Sequence, residues 1–198
     1  MSEKTKETVS SVTMKILIML SNQLNTSSGK ATLASLRHSI GRPINESKEV
    51  WPILFESLPE EFLGNGGEAS YEEIAILTAI QLYSLQQQGS SQNVFTKEDD
   101  RNQNIGYSLK NLRKGDDTTA VDRRFNIMIT SSTFEELIYH LRHLLTLLKT
   151  KSSETKINYA RLAEDLYWFL KDYQESVRLN WARQYYKQDN KGEQQNEN

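Results

Sequence analysis

Apolar residues recur at intervals of three and four along most of this chain, and that spacing constrains the fold more than any other feature. Nine glycines and three prolines among 198 residues leave few helix breakers. No segment alternates between apolar and polar residues as a half-buried strand would. The sequence therefore predicts an all-α protein. The clearest stripe consists of Phe134, Leu137, Ile138, Leu141, Leu144, Leu145 and Leu148.

The same spacing, with local start and stop signals, predicts eight helical segments. Ser70 with Glu73, and Ser132 with Glu135, have the form of capping boxes that begin helices. The last segment contains no glycine or proline and carries an apolar seam that includes Tyr173, so we expect one continuous helix over 157–187. The predicted segments are 7–25, 30–40, 46–58, 71–87, 105–114, 117–130, 133–150 and 157–187.

The predicted helices divide into two small packed bundles. Residues 7–115 form the N-terminal helical bundle, which includes a basic loop and a mobile segment at 88–104 with loop composition. Residues 116–187 form the C-terminal helical bundle. Residues 188–198 are polar and predict a disordered tail.

Composition excludes several classes of protein. There is no cysteine, which excludes disulfides and thiolate chemistry and fits a reducing compartment. The apolar run at 14–20 is far shorter than the roughly 20 residues that a membrane span needs, so we expect a cytoplasmic protein without membrane contact. The formal net charge is −2. Residues 1–104 contribute −4 and residues 105–187 contribute +4, which predicts an anionic partner for one end.

Recognisable catalytic motifs are absent from the sequence. His140 and His143 form an H-x-x-H pair, but no further ligand accompanies them at a spacing typical of zinc sites. The sequence has neither a glycine-rich phosphate loop nor a nucleophile elbow. We therefore predict that the protein is not an enzyme and needs no cofactor or metal. A metal-dependent hydrolase built on the two histidines is the alternative.

The stretch AVDRRFNIMIT, residues 120–130, places two adjacent arginines within an apolar helix. Val121, Phe125 and Met128 share one side, and Arg123 and Arg124 lie at the edges of that stripe. Two anions remain possible for these arginines, a carboxylate of the same chain or a nucleic-acid phosphate. Among the other charges, Arg161 is expected to pair with Asp165 one turn on. Helical spacing favours core packing over base stacking for Trp181, Tyr185 and Tyr186.

Three stretches together resemble a known family. They are IGYSLKNLRKGDDTTAVDRRFNIMIT (105–130), ELIYHLRHLLTLL (136–148) and NYARLAEDLYWF…WARQYY (158–186), and the stretch LASLRHSIGRP (33–43) matches more loosely. This order of motifs is similar to the CasB family, the small subunit of Cascade, the type I-E CRISPR surveillance complex. The overall acidic charge departs from the basic face that the family's role requires, so acid and base must lie on different surfaces.

The resemblance implies a role in antiviral defence without catalysis. It implies that the protein binds the target and displaced DNA strands, lies beside the guide RNA and thereby stabilises the R-loop. The expected partners are other Cascade subunits, a second copy of the chain, guide RNA and target DNA. A helical protein–protein interaction module without a nucleic-acid role is the rival hypothesis. The expected nucleic-acid-binding residues are Lys30, Arg37, Arg42, Arg113, Lys114, Arg123, Arg124 and Arg142.

Overall fold

The architecture is given by a computed structural model, which describes residues 6–98, 100, 102–115 and 117–188. Within these ranges the chain is helical, without a strand beyond one isolated bridge between Phe95 and Ile157, and the all-α prediction is confirmed. The helices are α1 (Val9–Asn22), α2 (Ser27–His38), α3 (Trp51–Phe55), α4 (Tyr71–Gln87), α5 (Ile105–Leu109), α6 (Thr119–Ile129), α7 (Phe134–Lys151), α8 (Tyr159–Leu170) and α9 (Gln174–Tyr186). Short 3₁₀ turns occupy Ile44–Glu46, Lys48–Val50, Glu60–Phe62 and Lys110–Leu112.

Helix α4 lies at the centre of the fold. It is buried over most of its length and packs against α1, α2, α7 and α8. Its start follows the predicted capping box, because the Ser70 hydroxyl accepts from the Glu73 amide at 3.0 Å and the Ser70 amide donates to the Glu73 carboxylate at 2.8 Å. A helix that is apolar on nearly all sides must be surrounded by other helices, and this one is.

The prediction of a continuous helix over 157–187 is wrong. Helix α8 ends at Leu170, and Asp172 adopts a left-handed conformation with φ of 64°. The Tyr173 amide then donates to the Trp168 carbonyl at 3.0 Å, which closes the helix as a Schellman motif. Tyr173, expected in the buried seam, is 57% exposed. Asp tolerates the left-handed region better than most residues, so the helix can end here without a glycine.

The second predicted capping box is displaced by one residue. Thr133, rather than Ser132, is the N-cap of α7, and its hydroxyl accepts from the Glu136 amide at 3.1 Å. The Glu136 carboxylate accepts from the Ser132 amide at 2.7 Å. Because Ser132 and Thr133 are both good caps and Glu135 and Glu136 are adjacent, the sequence allows either register.

In segment 88–104 the described residues, which exclude 99 and 101, are irregular, and its middle is anchored. Val94 and Phe95 are buried, and the Ile157 amide donates to the Val94 carbonyl at 3.0 Å. The Asn158 side chain donates to the Glu98 carbonyl at 2.9 Å. The mobility of this segment stays a prediction, and these contacts argue against it for Val94 and Phe95.

Helices that precede residue 115 pack against helices that follow it. Helix α8 packs against α1 and α4, whereas α5 packs against α9. The approach of α5 to α9 is so close that a Cβ atom at Gly106 would lie 2.0 Å from the Trp181 carbonyl oxygen, which accounts for the glycine in the IGYSL stretch. The division into bundles at 115/116 stays a prediction.

Two further predictions concern the tail and the membrane. Residues 189–198 of the predicted disordered tail lie outside the described residues. Among the helices that are described, none combines the length and the apolar character needed to cross a membrane.

Candidate nucleic-acid interface

Helix α6 presents its two arginines to solvent. Val121, Phe125 and Met128 are buried, as their spacing predicted. Arg123 and Arg124 are exposed, and neither guanidinium forms an ion pair with any residue in the described part of the chain. Two unpaired cations therefore stand side by side on one exposed helix.

The carboxylate next to these arginines is already occupied. Asp122 accepts from Arg113 Nε at 2.8 Å, from the Tyr185 hydroxyl at 2.8 Å and from the Thr118 hydroxyl at 2.8 Å. Desolvation raises the pKa of Asp122, but these three hydrogen bonds outweigh it and hold the pKa below its usual range. Asp122 is thus an engaged acceptor, and among the residues that the structure describes neither Arg123 nor Arg124 has an ion-pair partner.

Arg113 joins helices α6 and α9. Its guanidinium pairs with Asp122 and lies 5.4 Å from the ring centre of Tyr185 and 5.2 Å from that of Tyr186. The Tyr185 ring in turn stacks on Phe125 with 3.7 Å between centroids. These contacts give Arg113 a bracing role, and its predicted phosphate contact stays a prediction.

A groove brings two of the predicted cations together. Arg42, from the loop after α2, and Arg142, from α7, line the same groove, which has a volume of about 640 Å³. Arg42 donates to the Glu49 carboxylate at 2.8 Å and to the Glu46 carbonyl at 2.6 Å. Arg142 is exposed and has no ion-pair partner among the described residues. The groove is walled by segments 40–45 and 67–69 and by helices α4 and α7.

Arg37, a residue of α2, reaches the C-terminal end of α4 and donates a hydrogen bond to the backbone there. It donates to the Ser84 carbonyl at 3.4 Å, and Lys149 of α7 donates to the Leu85 carbonyl at 2.8 Å. These carbonyls belong to the last turn of α4, where cations are favoured by the helix dipole. Burial lowers the pKa of both side chains, and the nearby Arg37 charge lowers that of Lys149 further. Both cations thus cap a helix.

The two predicted lysines differ in their surroundings. Lys30 is exposed on α2, without an ion pair to any described residue. Lys114 donates to the Ser152 hydroxyl at 2.9 Å and to the Glu154 carboxylate at 3.3 Å. Among the eight predicted binding residues, Lys30, Arg123, Arg124 and Arg142 are therefore the cations whose side chains have neither an ion pair nor a hydrogen bond to any described residue.

Two residues of the surface around Arg142 were not singled out from the sequence. Tyr139 lines the groove and is 59% exposed, and Lys149 continues the same face of α7 toward Arg37. Both are separated from Arg142 by helical spacings, three residues before and seven after, which is the signal that would have found them.

The His140–His143 pair and the C-terminal aromatics complete the set of candidate functional groups. His140 and His143 contact the Tyr139 ring edge-on, at 5.1 and 4.5 Å between centroids. Within the described residues, no group of three or more potential ligands could hold a metal ion. Trp181 and Tyr185 are fully buried, so their predicted core packing is confirmed, whereas the following residue, Tyr186, is 38% exposed.

Comparisons with known proteins place the chain in a family. The model of the family described as CRISPR-associated protein Cse2 matches residues 32–186. No curated protein sequence matches the chain. Among solved structures, CasB from Thermobifida fusca is 21% identical with a TM-score of 0.72, over 90% of this chain and 98% of that one.

Two other solved structures share the fold. CasB from Thermus thermophilus is 22% identical with a TM-score of 0.63, over 88% of this chain and 97% of its own. A chain of a CRISPR RNA-guided surveillance complex is 16% identical with a TM-score of 0.64, over 90% of this chain and 93% of its own. At these identities the likeness establishes the fold, and the family model establishes membership.

Proposed function

The chain belongs to the Cse2 (CasB) family, the small subunit of type I-E Cascade, and from this membership we propose that it binds target and displaced DNA strands through phosphate contacts. In doing so it stabilises the R-loop of the surveillance complex. Opening a duplex against a guide RNA is nearly balanced in free energy, so a short row of cation–phosphate contacts is enough to favour the open state.

The observation that carries the proposal is the unpaired state of Arg123 and Arg124. An exposed arginine commonly pairs with a carboxylate of its own chain. Within the described residues neither Arg123 nor Arg124 does so, and the adjacent Asp122 accepts from Arg113, Tyr185 and Thr118. The two arginines therefore keep their donors for an external anion. Arginine donates bidentate hydrogen bonds to phosphate, which suits this role.

The partners follow from the family. Cse2 proteins are structural subunits of Cascade and generally non-catalytic, and we propose that this chain likewise performs no chemistry and uses no cofactor. We further propose that it contacts other Cascade subunits, the guide RNA and a second copy of itself, in the cytoplasm. The unpaired cations Lys30, Arg123, Arg124 and Arg142 are the residues that we assign to phosphate contact.

Replacing Arg123 and Arg124 together with alanine tests the proposal. If each side chain contacts one phosphate, the slope of log affinity against log salt falls by about 0.7 per contact for single strands and about 0.9 for duplexes. Affinity falls equally for all sequences, because phosphate contacts carry no base information. The measurement is a salt titration of binding to oligonucleotides, made with the full chain and with the assembled complex.

A second double variant controls for the loss of charge. Lys48 and Lys156 are exposed lysines outside the predicted set, and neither forms an ion pair within the described residues. Replacing both with alanine changes the net charge equally and should leave the salt slope unchanged. A lower melting temperature for the arginine variant with an unchanged slope would instead show that the arginines brace the fold, as the rival interaction-module hypothesis requires.

A further inference from the structure

We propose that the groove between α4 and α7 receives one unpaired base of a single-stranded nucleic acid, with Tyr139 as its stacking surface and Arg142 as the contact to the adjoining phosphate. The inference rests on the proposed function and adds to it a subsite for a single, unpaired nucleotide. It assigns this role to Tyr139, which sequence reasoning did not connect with nucleic acid.

The size and walls of the groove fit a flat, largely apolar group. Its volume of about 640 Å³ lies within the range of pockets that bind small ligands, and exceeds what one base needs. Apolar side chains from three of its sides form most of the walls, namely Ile40, Ile44, Ile74, Leu77, Phe134 and Ile138. Such walls remove the faces of a base from water, which an unpaired base otherwise exposes.

Tyr139 is the exposed aromatic ring of the groove lining. It lies on the solvent face of α7, beside the exposed Arg142 and His143, and is itself 59% exposed. The rings of His140 and His143 contact it edge-on at 5.1 and 4.5 Å, which restrains its orientation while leaving it accessible. An exposed aromatic ring held in place by its neighbours is the arrangement on which single-stranded nucleic acids stack their bases.

The charges around the groove favour a nucleotide over an apolar peptide. Arg142 lies one helical turn after Tyr139 on the same face of α7 and lacks an ion pair within the described residues. Arg42 is already engaged by the Glu49 carboxylate and the Glu46 carbonyl, so Arg142 is the groove arginine whose donors are open. An apolar helix or strand of another protein would leave the Arg142 guanidinium unmatched.

Two carboxylates line the groove as well. Their negative charge determines whether the base or the phosphate of a nucleotide can enter. Glu68 and Glu135 would repel a phosphate, so the phosphate must remain at Arg142. Carboxylates accept hydrogen bonds from exocyclic amino groups such as cytosine N4, so the base is the group that fits beside them. In a duplex that edge is paired and the ring is stacked, so only an unpaired base can enter.

Three single variants of the full chain test the inference, with a labelled 20-nucleotide single strand of mixed sequence and its duplex as probes. Tyr139→Ala removes the ring and should weaken single-strand binding by about 5-fold to 100-fold, the range expected for one base–aromatic stack. Its salt slope and its duplex affinity should match the wild type. Tyr139→Phe keeps the ring and should bind normally, and Tyr139→Leu keeps apolar bulk without an aromatic ring and should behave like alanine.

Arg142→Ala separates the phosphate contact from the stack. It should lower the salt slope for single strands by about 0.7, whereas the Tyr139 variants leave that slope unchanged. A cross-link from 5-bromouracil in the single strand to α7, lost in Tyr139→Ala, would place the base directly.

The outcomes distinguish this inference from the proposed function. Unchanged single-strand affinity in Tyr139→Ala and Tyr139→Leu, with the Arg123/Arg124 variant still weakened, would overturn the inference alone. If the Tyr139 variants instead impair incorporation into the assembled complex without changing single-strand affinity, the groove is a protein-docking surface and the inference is wrong. A wild-type chain that binds neither probe, free or assembled, would overturn both.

Discussion

The buried carboxylate of Asp165 links the last two helices. It accepts from Trp181 Nε1 of α9 at 2.7 Å and pairs with Arg161 of its own helix at 2.9 Å. Burial raises the pKa of Asp165 to about 6, although Arg161 and the Trp181 hydrogen bond both act to lower it. The folded protein therefore holds this proton more tightly than the unfolded chain does.

The stability of the protein should consequently depend on pH through Asp165. Between pH about 4 and pH about 6 the folded chain retains a proton that the unfolded chain has lost, so the contribution of Asp165 to stability falls as pH rises and is constant above that window. Within this window the free energy of unfolding falls by at most about 1.4 kcal/mol per pH unit. Asp165→Asn removes this dependence, and urea unfolding at pH 4, 5, 6 and 7 measures it as the difference between wild type and variant.

Glu164→Gln is the matched control, because Glu164 pairs with the same Arg161 at 3.5 Å but is much more exposed. Its stability difference from the wild type should vary little over the same range. A difference for Asp165→Asn that is flat with pH would contradict the raised pKa.

Residue-level contacts were predictable only where they are local. The Arg161–Asp165 pair follows from a spacing of four on one helix, and the structure confirms it. The Arg113–Asp122–Tyr185 contact joins residues up to 72 positions apart, and no spacing rule indicates which helices meet. The sequence therefore left open whether Asp122 would neutralise the neighbouring arginines, and packing decided it.

At the scale of elements, the turn between α8 and α9 sets the direction of the last helix. Asp172 occupies the left-handed region with φ of 64°, and Tyr173 closes the motif on the Trp168 carbonyl. The apolar spacing continues across the break, because both helices bury one face against the same core, and so it predicted a single helix. Periodicity indicates which residues are buried and does not exclude a change of axis between them.

Substitutions at Asp172 should rank by their tolerance of that conformation. Asp172→Asn and Asp172→Gly should unfold at or above the wild-type urea midpoint, because Asn and Gly adopt positive φ readily. Asp172→Ala should lose about 1 kcal/mol, since a Cβ without a compensating polar group is strained there. Equal midpoints for alanine and glycine would show that the turn is not held in the left-handed conformation.

The ends of helices and loops were predictable where nearby residues determine them, and were not where a distant residue does. The start of α4 was predicted from Ser70 and Glu73, because both halves of a capping box lie within four residues. Segment 88–104 lacks periodicity and was predicted as a loop, yet Val94 and Phe95 are buried through a bridge to Ile157. That anchor depends on a partner about sixty residues away, which the local sequence does not show.

At the scale of the whole molecule, the proposed binding residues come from distant parts of the chain. Arg42 and Arg142 are 100 positions apart and line one groove, while Arg123 and Arg124 lie on a different helix. The sequence indicated the residue types and the excess of +4 over 105–187. It could not assign the cations to faces, because that assignment depends on how the helices pack. Half of the predicted set proved to be engaged within the fold.

The exposed apolar residues bear on whether the chain associates with itself. A large, stable interface requires a contiguous apolar patch, whereas single exposed apolar side chains are normal on monomers. Here the large exposed apolar side chains in the described part of the chain are spread over many separate segments: Met19, Phe55, Leu63, Tyr71, Tyr107, Ile127, Tyr139, Trp168, Tyr173, Leu179 and Tyr186. The hydrophobic fraction of the chain, 37%, is low and argues against a large obligate interface, so we expect a small contact that forms when other subunits hold two copies together.

We therefore expect the isolated chain to be monomeric at about 10 μM, since a small and partly polar interface gives weak affinity by itself. In the assembled complex, where neighbouring subunits raise the effective concentration of one copy near the other, we expect two copies in contact. Sedimentation velocity of the chain alone and native mass spectrometry of the complex measure the two states. A stable dimer in isolation would contradict the small interface, and a single copy in every assembled complex would contradict self-contact altogether.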